Sequence, residues 1–491
     1  MRVRSDDSRP KDRTTDATAC DANRIRSVIK RGRHPRGALS GRCPRRPERA
    51  PGRAVGQLAW SALRREPQGP GRRAEARSTY CGLKCGSGPA DLSDVTSANT
   101  SPGTPPAPPL PAESERHASW LELFFDLIAV AGVAQLTHLL HGAPGADDLG
   151  FYCLLYLAFW TAWMCFTTYG NVAADKVHTR TVLIGMYGLA VMAAAVPEVR
   201  TEHARAFAFA YVLVRVLASR VWQGRGEVVA DWPVAQLSLG VVPWIVSVWA
   251  EAPTRYWLWT AGLAVDLGLT FALSRNRILA RAQEEWEERA AEHERHSRPR
   301  PTAARFDARH LDERLGLFTL IVIGESVALT VEASSEAEWT SRLGSMAVGS
   351  FVLLLALWAL AVRRSCGVPL LGFGVLAPRF ALPLHCVTTG ALGALAASLG
   401  GAVEHVEEQL PAGMRWLMCG SVAVFLSVGV VAGLTSGRGT RWALGAGVPL
   451  VVVPILLGAF AGRGSPAVLV WALVAVARWP SLYEKLAARR T

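Results

Sequence analysis

Eight side chains with chemical potential fall inside stretches otherwise built of apolar residues: Glu122, Asp126, His138, Arg215, Asp266, Glu325, Ser326 and His385. A charge in hydrocarbon costs at least about 2.5–3.5 kcal/mol, so such groups persist where they pair, relay protons or line a path. Glu122 and Asp126 are four residues apart and therefore share one helix face. Helical rise keeps both within about 10 Å of one membrane surface. The competing reading there is an interfacial pair that reaches headgroups or caps a neighbour. His138 lies about 18 Å beyond Asp126 along the same axis. It is either a station on a relay through other helices or an interfacial histidine.

Arg215 sits deep in a fourth apolar segment and needs a carboxylate or carbonyl partner. Asp266 and Glu325 occupy the middles of the sixth and seventh segments, and His385 lies inside the ninth. Glu325, in Ile323-Gly324-Glu325-Ser326, is the sharpest case. A small residue beside it permits close helix approach, and a mid-membrane carboxylate demands a proton or a buried cation. The bland reading is a protonated, hydrogen-bonded packing residue.

Signatures of soluble catalysis do not occur: no G-x-S-x-G, H-E-x-x-H, Walker loop or dinucleotide fingerprint. The fragment His293-Glu294-Arg295-His296 has the wrong spacing for zinc, and the Cys81/Cys85 pair lacks a second ligand pair. The sequence thus predicts a non-enzyme with no cofactor and no bound metal.

These residues must be positioned by membrane helices. The mean hydropathy is +0.20 even though more than a hundred N-terminal residues are polar, and only 19% of residues are charged. Residues 1–118 carry 23 Lys/Arg against 12 Asp/Glu and so supply +11 of the net +13. Basic character confined to one tail excludes a nucleic-acid-reading surface. The Pro/Arg-rich tail buries too little apolar surface to fold and is predicted to be disordered. It either touches anionic lipid headgroups or reflects a misassigned start.

From Ser119 the chain predicts an all-α polytopic membrane protein with about twelve spans: 119–140, 149–169, 181–197, 204–222, 233–250, 255–274, 315–333, 343–362, 379–399, 414–434, 442–461 and 466–482. The stretch 367–377 reads as a re-entrant piece or a loop. With both termini cytoplasmic, inner loops hold 23 basic residues outside the tail and outer loops six, the bias expected of inside-facing loops. A charged cytoplasmic linker, 275–314, separates six-helix halves 119–274 and 315–482, arranged as a parallel repeat, and 483–491 forms a cytoplasmic end.

At these residues the chain resembles the low temperature requirement A family of bacterial membrane proteins. Leu121-Glu122-Leu123-Phe124-Phe125-Asp126-Leu127 looks like that family's E-L-F-F-D-L signature. The run Trp160, Trp163, Asn171, Asp175, Arg180 is similar to a second block, and Ala210-Tyr211 with Arg215 fits a third. His310, Glu313-Arg314, Gly316-Leu317-Phe318 and Gly324-Glu325-Ser326 resemble its H-x-x-E-R-x-G-L-F…G-E-S block. Leu311-Asp312 departs from the usual pattern after His310. The resemblance covers roughly 119 to 404 and weakens beyond. It implies a bacterial inner-membrane protein named for a growth phenotype in the cold, and it supplies no substrate or reaction.

Two functions fit this reading. One is a secondary transporter or ion pathway lined by Asp126, Arg215, Asp266, Glu325 and His385, with Glu325 changing protonation and a small solute or ion as partner. The alternative is a non-transporting sensor, scaffold or lipid-interacting component in which the polar residues form a sealed packing network.

Overall fold

The computed structural model describes residues 117–223, 225–292, 299–362, 376–462 and 464–489. The basic tail, Cys20, Cys43, Cys81, Cys85, Cys366, the His293–His296 fragment and nearly all of stretch 367–377 lie outside the described residues.

Long apolar runs dictate helix, because a backbone in lipid must satisfy its own hydrogen bonds. Helices are α1 (Trp120–Thr137), α2 (Ala146–Ala173), α3 (Thr179–Ala195), α4 (Ala204–Arg220), α5 (Val241–Ser247), α6 (Thr254–Ala272) and α7 (Arg275–Glu292). They continue with α8 (Ala308–Glu336), α9 (Ser341–Val362), α10 (Pro378–Glu404), α11 (Ala412–Thr435), α12 (Thr440–Phe460) and α13 (Pro466–Ala488). Ser119 caps α1 through a capping box, its hydroxyl accepting from the Glu122 amide while Glu122 returns to the Ser119 backbone. Asp307 caps α8 by accepting from the His310 amide at 3.1 Å. Gly437, at φ +82°, ends α11 in the left-handed conformation that side chains avoid.

Among the described residues, eight helices are long and apolar enough to cross a bilayer: α1 with its 3-10 extension to Leu140, α2, and α8 through α13. Large apolar side chains such as Phe124, Leu183, Phe209, Leu320, Phe351 and Phe460 stay exposed around them. A soluble monomer does not present so much apolar surface. The chain is an all-α, multi-pass membrane protein.

The other four expected segments behave differently. α3 and α4 each have 17 residues. α6 meets α7 at a bend of 97°, which turns the charged α7 out of the bundle. Stretch 233–250 is not one continuous helix but a 3-10 turn at Pro233–Ala235 followed by the seven-residue α5. Pro233 removes an amide donor and Gly240 weakens helix continuity, and the freed backbone groups are used by polar side chains from α4 and α6.

Contacts between connections sort the helix ends into two groups. At one end His117 meets Glu313, Arg275 meets Asp231, and Arg379 donates to the Leu273 carbonyl. Two short strands, Glu227–Val228 and Thr302–Ala303, pair in parallel at this end and tie the α4–α5 connection to the α7–α8 linker. At the other end Arg200 meets Asp148, and Glu407 receives both Arg342 and the Thr340 hydroxyl. α2 and α10 are the most enclosed helices. α8 and α10, from the C-terminal part, pack directly on α1 and α2.

Candidate functional site

The densest polar cluster forms where α1, α2 and α8 meet near the end that carries His117 and Glu313. α1 and α8 run side by side in the same direction, and each presents ionisable residues four apart: Glu122 and Asp126, His310 and Arg314. The Arg314 guanidinium is divided between both carboxylates. Its Nε donates to Asp126 Oδ2 at 3.0 Å, Nη2 reaches Asp126 Oδ1, and Nη1 lies 3.2 Å from Glu122 Oε1. α2 adds Trp163, whose indole Nε1–H donates to Asp126 Oδ1 at 2.8 Å, and Thr167, whose hydroxyl is 3.5 Å from Nη2. Asp126 is 0% and Arg314 1% exposed, so each charge depends on the other for its stability in the membrane.

His310 completes the cluster, and its protonation follows from its neighbour. The Asp307 backbone N–H donates to Asn171 Oδ1 at 3.0 Å, which fixes the orientation of the Asn171 amide. Asn171 Nδ2 therefore faces outward as a donor, to the Asp307 carbonyl at 2.9 Å and to His310 Nδ1 at 3.1 Å. A nitrogen that accepts carries no proton. His310 is thus the neutral tautomer with its proton on Nε2, directed at Glu122 Oε2 3.4 Å away.

A cavity of about 350 Å³ adjoins the cluster and is lined by His117, Ser119, Glu122, Gly170, Thr179 and Arg314 among others. Gly170 keeps this approach open: a Cβ there would lie 2.9 Å from Glu122 Oε1.

A second ion pair joins α4 to α6. Arg215 Nη2 donates to Asp266 Oδ2 at 2.9 Å, and both residues are buried. The broken stretch before α5 supplies the rest: the carbonyls of Val234 and Leu237 accept from Arg215 at 2.9 and 3.2 Å, and the Gly240 amide donates to Asp266 at 3.2 Å. Arg215 accordingly has both the carboxylate and the carbonyl partners that its depth requires. Glycine is needed at 240, where a Cβ would sit 2.4 Å from the Asp266 carboxyl.

His385 lies between the two centres. Its Nδ1 accepts from Trp160 Nε1–H at 3.2 Å, so the proton is on Nε2, which donates to the Leu315 carbonyl at 3.2 Å. Trp163 stacks on its ring at a centroid distance of 6.0 Å. One indole therefore touches His385 and donates to Asp126.

The remaining expected residues lie elsewhere. Glu325 is half-buried on α8, away from Arg314 and Arg215, with no hydrogen-bond or ion-pair partner among the described residues. Gly324 beside it faces open space, and Ser326 is buried with its hydroxyl donating to the Val322 carbonyl at 3.0 Å. His138 stacks on His141 near the opposite end. Arg180 is exposed, Glu313 meets only His117 in a described ion pair, and Asp175 closes α2 in a 3-10 turn. Trp163, Thr167 and Gly170 complete the first centre without having been singled out as polar-site residues. Their signal was helical spacing on the face of α2 that also bears Asn171. Among the described residues no group of three or more His, Cys, Asp or Glu side chains is placed to hold a metal ion.

Fold and centre together define a multi-pass helical membrane protein with ionisable groups sealed between its helices. The chain belongs to the bacterial low temperature requirement A protein (LtrA) family, whose model matches residues 117–478. The match begins where the described structure begins and runs into the last span, past the point where the motifs fade. No curated protein and no solved structure matches the chain.

Proposed function

We propose that this protein is a secondary transporter or ion pathway of the bacterial inner membrane, and that the Glu122–Asp126–His310–Arg314 centre binds one proton or monovalent cation. The observation carrying this reading is a buried guanidinium shared by two carboxylates from one helix face. Glu122 and Asp126 both meet Arg314, and the His310 imidazole lies against Glu122. Carboxylates gathered in low dielectric attract a positive charge. The adjoining cavity gives that charge a route from the end assigned to the cytoplasm by the surplus of Lys and Arg. No enzymatic role is part of the proposal, and Glu325 is not part of the ion site.

Proteoliposomes enclosing a pH-sensitive dye test it, with imposed proton or sodium gradients. The full-length protein should dissipate a gradient of the coupling ion, and Asp126→Asn and Glu122→Gln should abolish or strongly slow that flux. Flux that persists unchanged in both variants, or no flux from the folded wild type under either gradient, overturns the proposal.

A second reading, a sensor or scaffold without transport, draws on the Arg215–Asp266 pair. It is enclosed and neutral overall, and its partners lie within the fold. Such a pair suits fixed helix packing better than a moving charge.

A further inference from the structure

A cleft of about 710 Å³ lies between α2, α10 and α11, within the range of roughly 300–1,000 Å³ typical of ligand sites. It starts at Pro144, in the connection before α2, and Gly413, in the first turn of α11, at the end opposite the ion centre, and reaches Leu157, Val387 and Val424. From Ala146 to Leu157 along α2 is about 16 Å by helical rise, close to half of a hydrocarbon core of about 30 Å. The cleft is one leaflet deep.

Its surface is hydrocarbon-like for a structural reason. Tyr152 and Tyr156 line it, yet their hydroxyls are spent inward, on the Gly390 carbonyl at 2.8 Å and on Thr389 Oγ1 at 2.7 Å. Their rings remain for contact. Gly420 leaves room, since a Cβ there would meet nothing within 4 Å. Leu149, Cys153, Val387 and Val424 at its edges are exposed and open it sideways to lipid. Trp416, 45% exposed, stands near the mouth, at the level where indoles sit among headgroups.

We infer that this cleft is a resident lipid site that takes one acyl chain of a phospholipid from the outer leaflet, with the headgroup level with Trp416. The chain lies against the rings of Tyr152 and Tyr156 and beside Cys386, the residue after His385.

The full-length protein in nanodiscs containing a phosphatidylethanolamine with a diazirine midway along one acyl chain provides the test. Photolysis followed by peptide mapping should concentrate label on 149–157, 387–394 and 420–424. Gly420→Leu, which fills the cleft from its open side, should lose that label while keeping the wild-type melting temperature in lipid-free detergent. Should Gly420→Leu fail to fold, Ala391→Leu fills the cleft from α10 and must give the same loss. Label spread evenly over all lipid-facing helices, label unchanged in a folded filled variant, or a dimer whose interface covers the cleft each overturns the inference.

Discussion

Asp126 and Arg314 meet at 3.0 Å across the contact of α1 with α8, 188 residues apart in the chain, and Glu122 meets His310 one turn away at the same separation. Equal separation means that the two helices run parallel and in phase over this turn, so each acid–base rung reinforces the other. The register of α1 on α8 is set by these pairs as well as by apolar packing.

The Arg215–Asp266 pair should behave as a unit. Arg215→Met leaves a buried carboxylate and orphaned carbonyls, and should cost about 3–5 kcal/mol. Arg215→Met combined with Asp266→Leu should recover part of that loss, because no charge remains unpaired. Unfolding in detergent, followed by tryptophan fluorescence for both variants, measures the coupling. Additive losses would show that the pair is not coupled.

Both buried histidines should be neutral with the proton on Nε2, because Asn171 and Trp160 each donate to the opposite nitrogen. Nitrogen-15 spectra of histidine-labelled protein at neutral pH should show two distinct ring nitrogens for His310 and His385. Asn171→Ala should change the His310 signals and leave those of His385 in place. An imidazolium pattern at His310 would overturn the assigned tautomer.

Gly170→Ala should impair ion flux with little loss of fold. The added methyl sits 2.9 Å from Glu122 Oε1 and must displace that carboxylate, which Ser119 and Arg314 otherwise hold. Gly316→Ala is the control, since a Cβ there meets nothing within 4 Å. Equal flux in both variants would separate the cavity from the pathway.

Single cysteines placed at Glu407 and Gln283 should report opposite sides in a background free of other cysteines. An impermeant maleimide applied to intact cells should label position 407, which lies with Thr340 and Arg342. It should spare position 283, whose side chain donates to the Pro301 carbonyl in the linker beside the paired strands. Labelling of 283 from outside would reverse the assigned orientation.

Hydropathy revealed most of the architecture, because lipid leaves a long apolar run no alternative to helix. It misread 233–250, where composition is apolar but Pro233 and Gly240 release backbone groups that only Arg215 and Asp266, distant in sequence, explain. Glu122 and Asp126 were legible as a four-residue pair on one face. His310 and Arg314 were named only as motif positions and not as their partners, since they stand at the margin of a charged linker, where ionisable residues are ordinary. Glu325 carried the strongest local signal and lies apart from both clusters. Sequence reports how deep a charge lies in its own helix, not which neighbour that helix face meets.

The shared guanidinium also restricts motion. α8 reaches the membrane just after the strand pairing that ties its linker to the α4–α5 connection, and its first two turns are clasped to α1 by Arg314 and His310. Any movement that widened the mouth of the adjoining cavity by swinging α8 outward would have to unlatch Asp126 and Glu122 together. A cation that satisfied those carboxylates in place of Arg314 would loosen the latch. In that design occupancy and helix movement would be one event.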